Sequence, residues 1–174
     1  RTVELGLRVA QLYEVQLGDE DSAIARYGRV LAADGTQAQA LDALDRLYEA
    51  TGNWNELAAV LARQSQLASS PDIVLEFKFR LGHLYQKHLG RVDLAIAQYQ
   101  EILAAAPEHA KALGALEELF AGGVQPLVIA EILEQRAQVP FVRDLGLARA
   151  ILRDLRDAVD HGDPRRGVAH LLEL

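Results

Sequence analysis

The sequence predicts an all-α protein, a solenoid of stacked antiparallel helix pairs. Three observations lead there. The 174 residues are half hydrophobic but only 6% aromatic, and Ala and Leu dominate the apolar set. That favours helices packed through small and branched side chains over a β-sandwich. Apolar residues recur at spacings of three and four along almost the whole chain. Above all, the chain repeats itself: "QLYEVQLGDEDSAIARY" at 11–27 returns as "HLYQKHLGRVDLAIAQY" at 83–99.

A shift of 72 residues aligns Arg8 with Arg80, Leu12-Tyr13 with Leu84-Tyr85, and Leu17-Gly18 with Leu89-Gly90. The register continues through Ala23, Ile24, Ala25 and Tyr27 against Ala95, Ile96, Ala97 and Tyr99, and on to Leu41, Leu44 and Leu47 against Leu113, Leu116 and Leu119. Repetition held over such a length is the signature of a repeat architecture. Each unit divides again into two stretches that read helix, glycine turn, helix.

The predicted helices are 3–17, 20–33, 37–51, 53–68, 72–89, 92–106, 109–121, 125–138, 141–160 and 163–174. Gly18 and Gly52 stand where a first helix should stop. Asp19, Glu20 and Asp21 carry negative charge at a helix start, where it meets the positive end of the dipole. Asn53 and Asp93 are expected to begin second helices. Pro71, Pro107, Pro140 and Pro164 fall between helices or in first turns, where a missing N–H costs little. No connection is long enough to separate independent domains, so a single solenoid over 1–174 is expected, with helix pairs at 1–35, 36–70, 71–107, 108–139 and 140–174. In the last pair the apolar stripe slips by one residue, as suits either a cap or a cut. The opening "RTVELGL" and closing "VAHLLEL" read as edges of a longer chain.

These residues resemble the tetratricopeptide-repeat family, whose 34-residue pattern places Leu-Gly and Tyr in a first helix, Gly at the turn, then Ala, an aromatic and Ala, followed by Pro. The third pair supplies Leu81-Gly82, Tyr85, Gly90, Ala95, Tyr99 and Pro107, with Ile102 in place of the last Ala. The first supplies Val9-Ala10, Tyr13, Gly18, Ala23, Tyr27 and Gly35. Both carry one extra residue before the turn glycine. The second keeps Leu44, Tyr48 and Gly52 but has Leu57 and Leu61 where small and aromatic residues are expected. The fourth keeps Leu116 and Phe120 and reads "GGVQPLVIAEIL" through the turn. Such alternation of regular and degenerate repeats is similar to that of long bacterial repeat proteins. The resemblance implies a right-handed superhelix whose groove is lined by the first helices. Carried onto this chain, the groove holds Leu7 and Gln11, Arg46, Phe79, His83 and Lys87, and Lys111. Leu7 and Phe79 would be apolar anchors, and Arg46, Lys87 and Lys111 carboxylate partners. The Lys and paired Asn with which some members clamp a C-terminal carboxylate are missing: Leu7 and Gln11 stand in two of those places.

Chemistry of other kinds finds little footing. Without cysteine there is no disulfide, thiol catalysis or thiolate-bound metal. His83 and His88, five apart, form no HExxH pair, and His109, His161 and His170 are scattered; no metal or other cofactor is expected. Gly122-Gly123 lacks the Gly-Lys-Ser/Thr of a phosphate loop. A net charge of −7 and pI near 5.2 argue against nucleic acid, as Arg165-Arg166 is too short a basic run. No apolar run reaches the roughly 18 residues of a membrane span. Trp54, one turn before Leu57 and Leu61, reads as a packing residue. The expectation is therefore a non-catalytic scaffold for a protein or peptide, or for other parts of its parent chain. The alternatives are a spacer that self-associates through terminal repeats and an accessory region of a larger enzyme. Composition leaves cytoplasm and periplasm equally open.

Overall fold

A computed structural model describes residues 2–125, together with 128, 129 and 132. The described residues hold helices and turns and no strand. The helices are α1 (Thr2–Gln11, continued by a π-helical segment at Leu12–Leu17), α2 (Glu20–Ala33), α3 (Ala38–Thr51), α4 (Trp54–Leu67), α5 (Pro71–Lys87), α6 (Val92–Ala105) and α7 (Ala110–Ala121). They match the predicted spans to within two residues. Of the helix expected at 125–138, Val128, Ile129 and Ile132 are described and helical. The helices expected at 141–160 and 163–174, with the slipped last repeat, lie outside the described residues.

The chain forms two compact units, Arg1–Gln98 and Tyr99–Leu174. In the first, consecutive helices pack: α1 on α2, α2 on α3, α3 on α4 and α4 on α5. One apolar cluster gathers Leu7, Ala10, Ala23, Tyr27, Val30 and the inward face of α3, including Leu41, Leu44 and Leu47. A second joins Leu57, Ala58 and Leu61 of α4 to Leu81 and Leu84 of α5. Tyr48 packs against both. The repeated small residues have a visible purpose. Ala10, Ala23 and Ala95 are wholly buried, and a Cβ on Gly6 would stand 2.9 Å from Val30, so α1 and α2 approach through their smallest side chains. In the second unit Tyr99, Ile102, Leu103, Ala112 and Leu116 are fully buried.

The turn glycines are the joints. Gly18, Gly52 and Gly90 have φ of 62°, 72° and 62°, the left-handed region that ends a helix and returns its last carbonyls to backbone donors. Tyr48 O accepts from the N–H of Gly52 and, at 2.9 Å, of Asn53. Tyr13 lies one residue farther from its glycine. Its carbonyl accepts from Gly18 and, at 3.0 Å, from Asp19, and the intervening turn widens into the π-helix. In the third pair the additional residue gives Leu89 N–H to Leu84 O at 3.2 Å and Arg91 N–H to Tyr85 O at 2.9 Å. The extra residue noted in both repeats is thus absorbed as a bond to the fifth residue back, the usual fate of a single insertion in a helix.

Capping is less regular than the sequence suggests. Asp19 caps α2, accepting from Ser22 N–H at 3.0 Å, and these bonds lower its pKa below the ordinary carboxylate value. Asn53 precedes α4 but its side chain does not cap it; its Nδ2 donates to Thr51 Oγ1 at 2.9 Å. Asp93 does not start α6 but sits in its first turn, behind Val92, where its charge still meets the dipole.

Candidate functional site

Two sets of ion pairs, centred on Glu14 and on Arg80, join first helices of successive repeats. Glu14, at the π-helical end of α1, is the first hub. Tyr27 Oη donates to Glu14 Oε2 at 2.7 Å, and Arg46 of α3 donates to Oε1 at 2.9 Å. The Glu14 side chain is only 14% exposed while Arg46 is 67% exposed, so the cation is the solvent-facing partner. Burial, and then the hydrogen bond to Glu14, raise the Tyr27 phenol well above its usual range. Tyr13 adds a second contact between α1 and α2, with the Arg26 guanidinium 4.2 Å from its ring centre.

The second hub lies between α3 and α5. Arg80 grips Asp45 with two hydrogen bonds of 2.7 Å each and approaches Glu49 at 3.6 Å. Fork-to-fork pairing of this kind fixes orientation as well as charge. The hydrogen bonds that Arg80 donates to Asp45 raise the Arg80 pKa further, against the opposing effect of burial. Asp45 was not singled out in the sequence. It lies three residues before Tyr48, where the two neighbouring pairs have Ala10 and Gly82 before Tyr13 and Tyr85. A carboxylate at a small-residue position was the signal that could have found it.

Two recesses flank these hubs. One, of about 580 Å³, is bordered by Gln11, Glu14, Gln39 and Arg46. The other, of about 240 Å³, lies where α3 and α4 meet α5, and Glu49, Trp54, Glu76, Phe79 and His83 line it. Phe79 and His83 stand 6.4 Å apart, ring centre to ring centre. Trp54 packs on the Leu57–Leu61 cluster as expected, and it also stacks on His88 at 3.9 Å.

Four of the seven groove candidates therefore border a recess: Gln11 and Arg46 in one, Phe79 and His83 in the other. Leu7 does not. It is 7% exposed and belongs to the first apolar cluster, because the stripe it shares with Val3 and Ala10 is the one that packs on α2. Arg46 is already neutralised by Glu14, so it meets a ligand as half of an ion pair. Lys87 is exposed in the last turn of α5, and Lys111 is exposed on α7 in the second unit. The packing signature behaves uniformly: Ala23, Tyr27, Ala95 and Tyr99 are buried, Tyr13 and Tyr85 partly so, and Gly18 and Gly90 form the turns. Among the described residues no group of three or more ligating side chains is placed to hold a metal ion, and no helix is long and apolar enough to cross a membrane.

The family model for the tetratricopeptide repeat matches residues 40–74, which span α3, α4 and the start of α5. Residues 40–74 are thus a tetratricopeptide repeat. The match falls on the second pair, whose sequence looked looser than the first and third. That pair lacks the extra residue, so Tyr48 and its turn glycine keep the spacing of an uninterrupted α-helix. Tetratricopeptide repeats are generally protein-interaction modules and typically non-catalytic, and they imply protein partners. No curated protein matches the chain.

Proposed function

We propose that this protein is a non-catalytic scaffold that receives an extended peptide or a protein surface along its first helices. The observation that carries this reading is the pair of open recesses beside side chains already fixed by ion pairs. Glu14 is held by Tyr27 and Arg46, and Arg80 by Asp45. Bordering groups such as Gln11, Phe79 and His83 then bind without first ordering the residues beneath them, and pre-organisation of that kind limits the entropy lost on association. Phe79 offers an apolar ring, His83 and Gln11 offer hydrogen bonds, and Lys87 adds positive charge at the end of the same helix.

Site-specific photo-crosslinking tests the assignment. A photoreactive residue in place of Phe79 or His83 should label a partner in cells expressing the parent protein. The same residue in place of Ala25, exposed on α2, should not. Replacing Phe79 and Lys87 with Ala should weaken recovery of that partner without loss of helicity. Labelling from Ala25 as strong as from Phe79 would move the binding surface to the second helices.

A further inference from the structure

Of the two recesses, the one where α3 and α4 meet α5 combines three kinds of lining. Leu57, Leu61 and Leu84 are buried and close its inner end. Phe79 and Trp54, both half-buried, stand beside them, and the His88 ring stacked on Trp54 at 3.9 Å fixes the indole. Glu49 and Glu76 are exposed at the mouth; Glu76, Phe79 and His83 share one side of α5. Arg80 also borders the space, but it gives two hydrogen bonds of 2.7 Å to Asp45 and reaches Glu49 only at 3.6 Å. Asp45, Glu49 and Glu76 all pull on that single guanidinium. The lining is therefore apolar within, aromatic at the sides and acidic at the rim.

We infer that this recess receives a lysine or arginine side chain of the bound peptide. The inference rests on the peptide-scaffold reading above and names what this part of the surface selects. A volume of about 240 Å³ suits one long side chain. Its methylenes cover the leucines, while its cationic head meets the Phe79 ring and the Glu49 and Glu76 carboxylates. An acidic side chain would face both carboxylates with only Arg80 to offset them, and Arg80 is already spent on Asp45. An apolar side chain would fill the inner end but gain nothing from the rim, and would strip water from it. The recess beside α1 offers no such site, because its carboxylate, Glu14, is already bound by Tyr27 and Arg46. Lys87, at the end of α5, stands outside the lining.

Selection from a random library of short peptides, displayed against the full chain, tests this. The selected pool should be enriched in Lys or Arg at one position by about fivefold or more. The best peptide should bind the double variant Glu49→Gln, Glu76→Gln about tenfold more weakly, with helicity unchanged because both carboxylates are exposed. Removing the same charge from α2, with Glu20→Gln and Asp21→Asn, should change little. That comparison separates the recess from the general attraction of a chain with net charge −7. Trp54 is the only tryptophan, so its fluorescence reports occupancy directly. The basic peptide should alter it, and the same peptide with norleucine at the basic position should bind about tenfold more weakly. A pool enriched in apolar or acidic residues, with no basic position, would overturn the inference and leave the peptide scaffold standing. Equal weakening by the two double variants, or binding that leaves Trp54 fluorescence unchanged, would do the same. No enrichment of any peptide would overturn the scaffold reading, and the inference with it.

Discussion

Asp45 shows how one residue can change the character of a repeat. Its position carries Ala10 and Gly82 in the neighbouring pairs, yet here a carboxylate that is 11% exposed binds a guanidinium that is 33% exposed. Removing one partner of such a pair leaves the other partly desolvated and unpaired. Asp45→Ala should cost about 2 kcal/mol, less than a fully buried pair because Arg80 reaches water. Urea denaturation of the single variant and of Asp45→Ala with Arg80→Met measures it, and the double variant should recover most of the loss. The buried tyrosines give a pH signature. Burial, aided by Glu118, pushes Tyr99 up to about 12, and Tyr27 is raised still further. A phenol whose folded pKa exceeds the unfolded value of about 10 contributes stability that is complete below that pH. The contribution is lost as pH rises through the folded value. Stability should therefore fall between about pH 10 and 12, and Tyr99→Phe should flatten that fall. Thermal melts across the range, with phenolate absorbance followed in parallel, test both statements.

At the scale of the element, the helix-ending glycines and the π-helical turn are one device. A single added residue must go somewhere. In α1 it widens the last turn, and in α5 it lengthens the exit, but both end at a glycine with φ near 62°. A Cβ added at Gly90 would meet nothing within 4 Å, so Gly90→Ala isolates the backbone term. It should lower stability by about 1 kcal/mol. A loss well above that in a denaturation midpoint would point to a contact made by the turn itself. The helix spans were legible because spacing of three and four, glycine stops and prolines at N-termini all agree. The π-helix was not, because an extra residue in a periodic pattern does not reveal whether it bulges inside the helix or extends the loop. Asn53 failed as a side-chain cap for a related reason: its short amide found Thr51, a competing partner that composition does not disclose.

At the scale of the molecule, the packing described for the first unit runs between neighbours in sequence. Two apolar clusters share Tyr48, so damage to one should spread only partly to the other, as in other quasi-one-dimensional folds. Leu84→Ala empties the second cluster and should cost about 3 kcal/mol. Hydrogen exchange should rise mainly in α4 and α5 and much less in α1 and α2. Uniform loss of protection would show a fully cooperative unit instead.

The sequence alone determined the repeat, the helix spans and the family resemblance. Those depend on periodicity and on turn residues, which are local and additive along the chain. Only the tertiary structure decided which polar side chains are spent on joining repeats. Leu7 and Phe79 occupy the same place in the 72-residue register, yet the first is in the core and the second lines a recess. Arg8 and Arg80 are likewise equivalent, yet one is exposed and the other is held by Asp45. Exposure depends on what lies across the interface, and the register of a repeat contains no information about its neighbour.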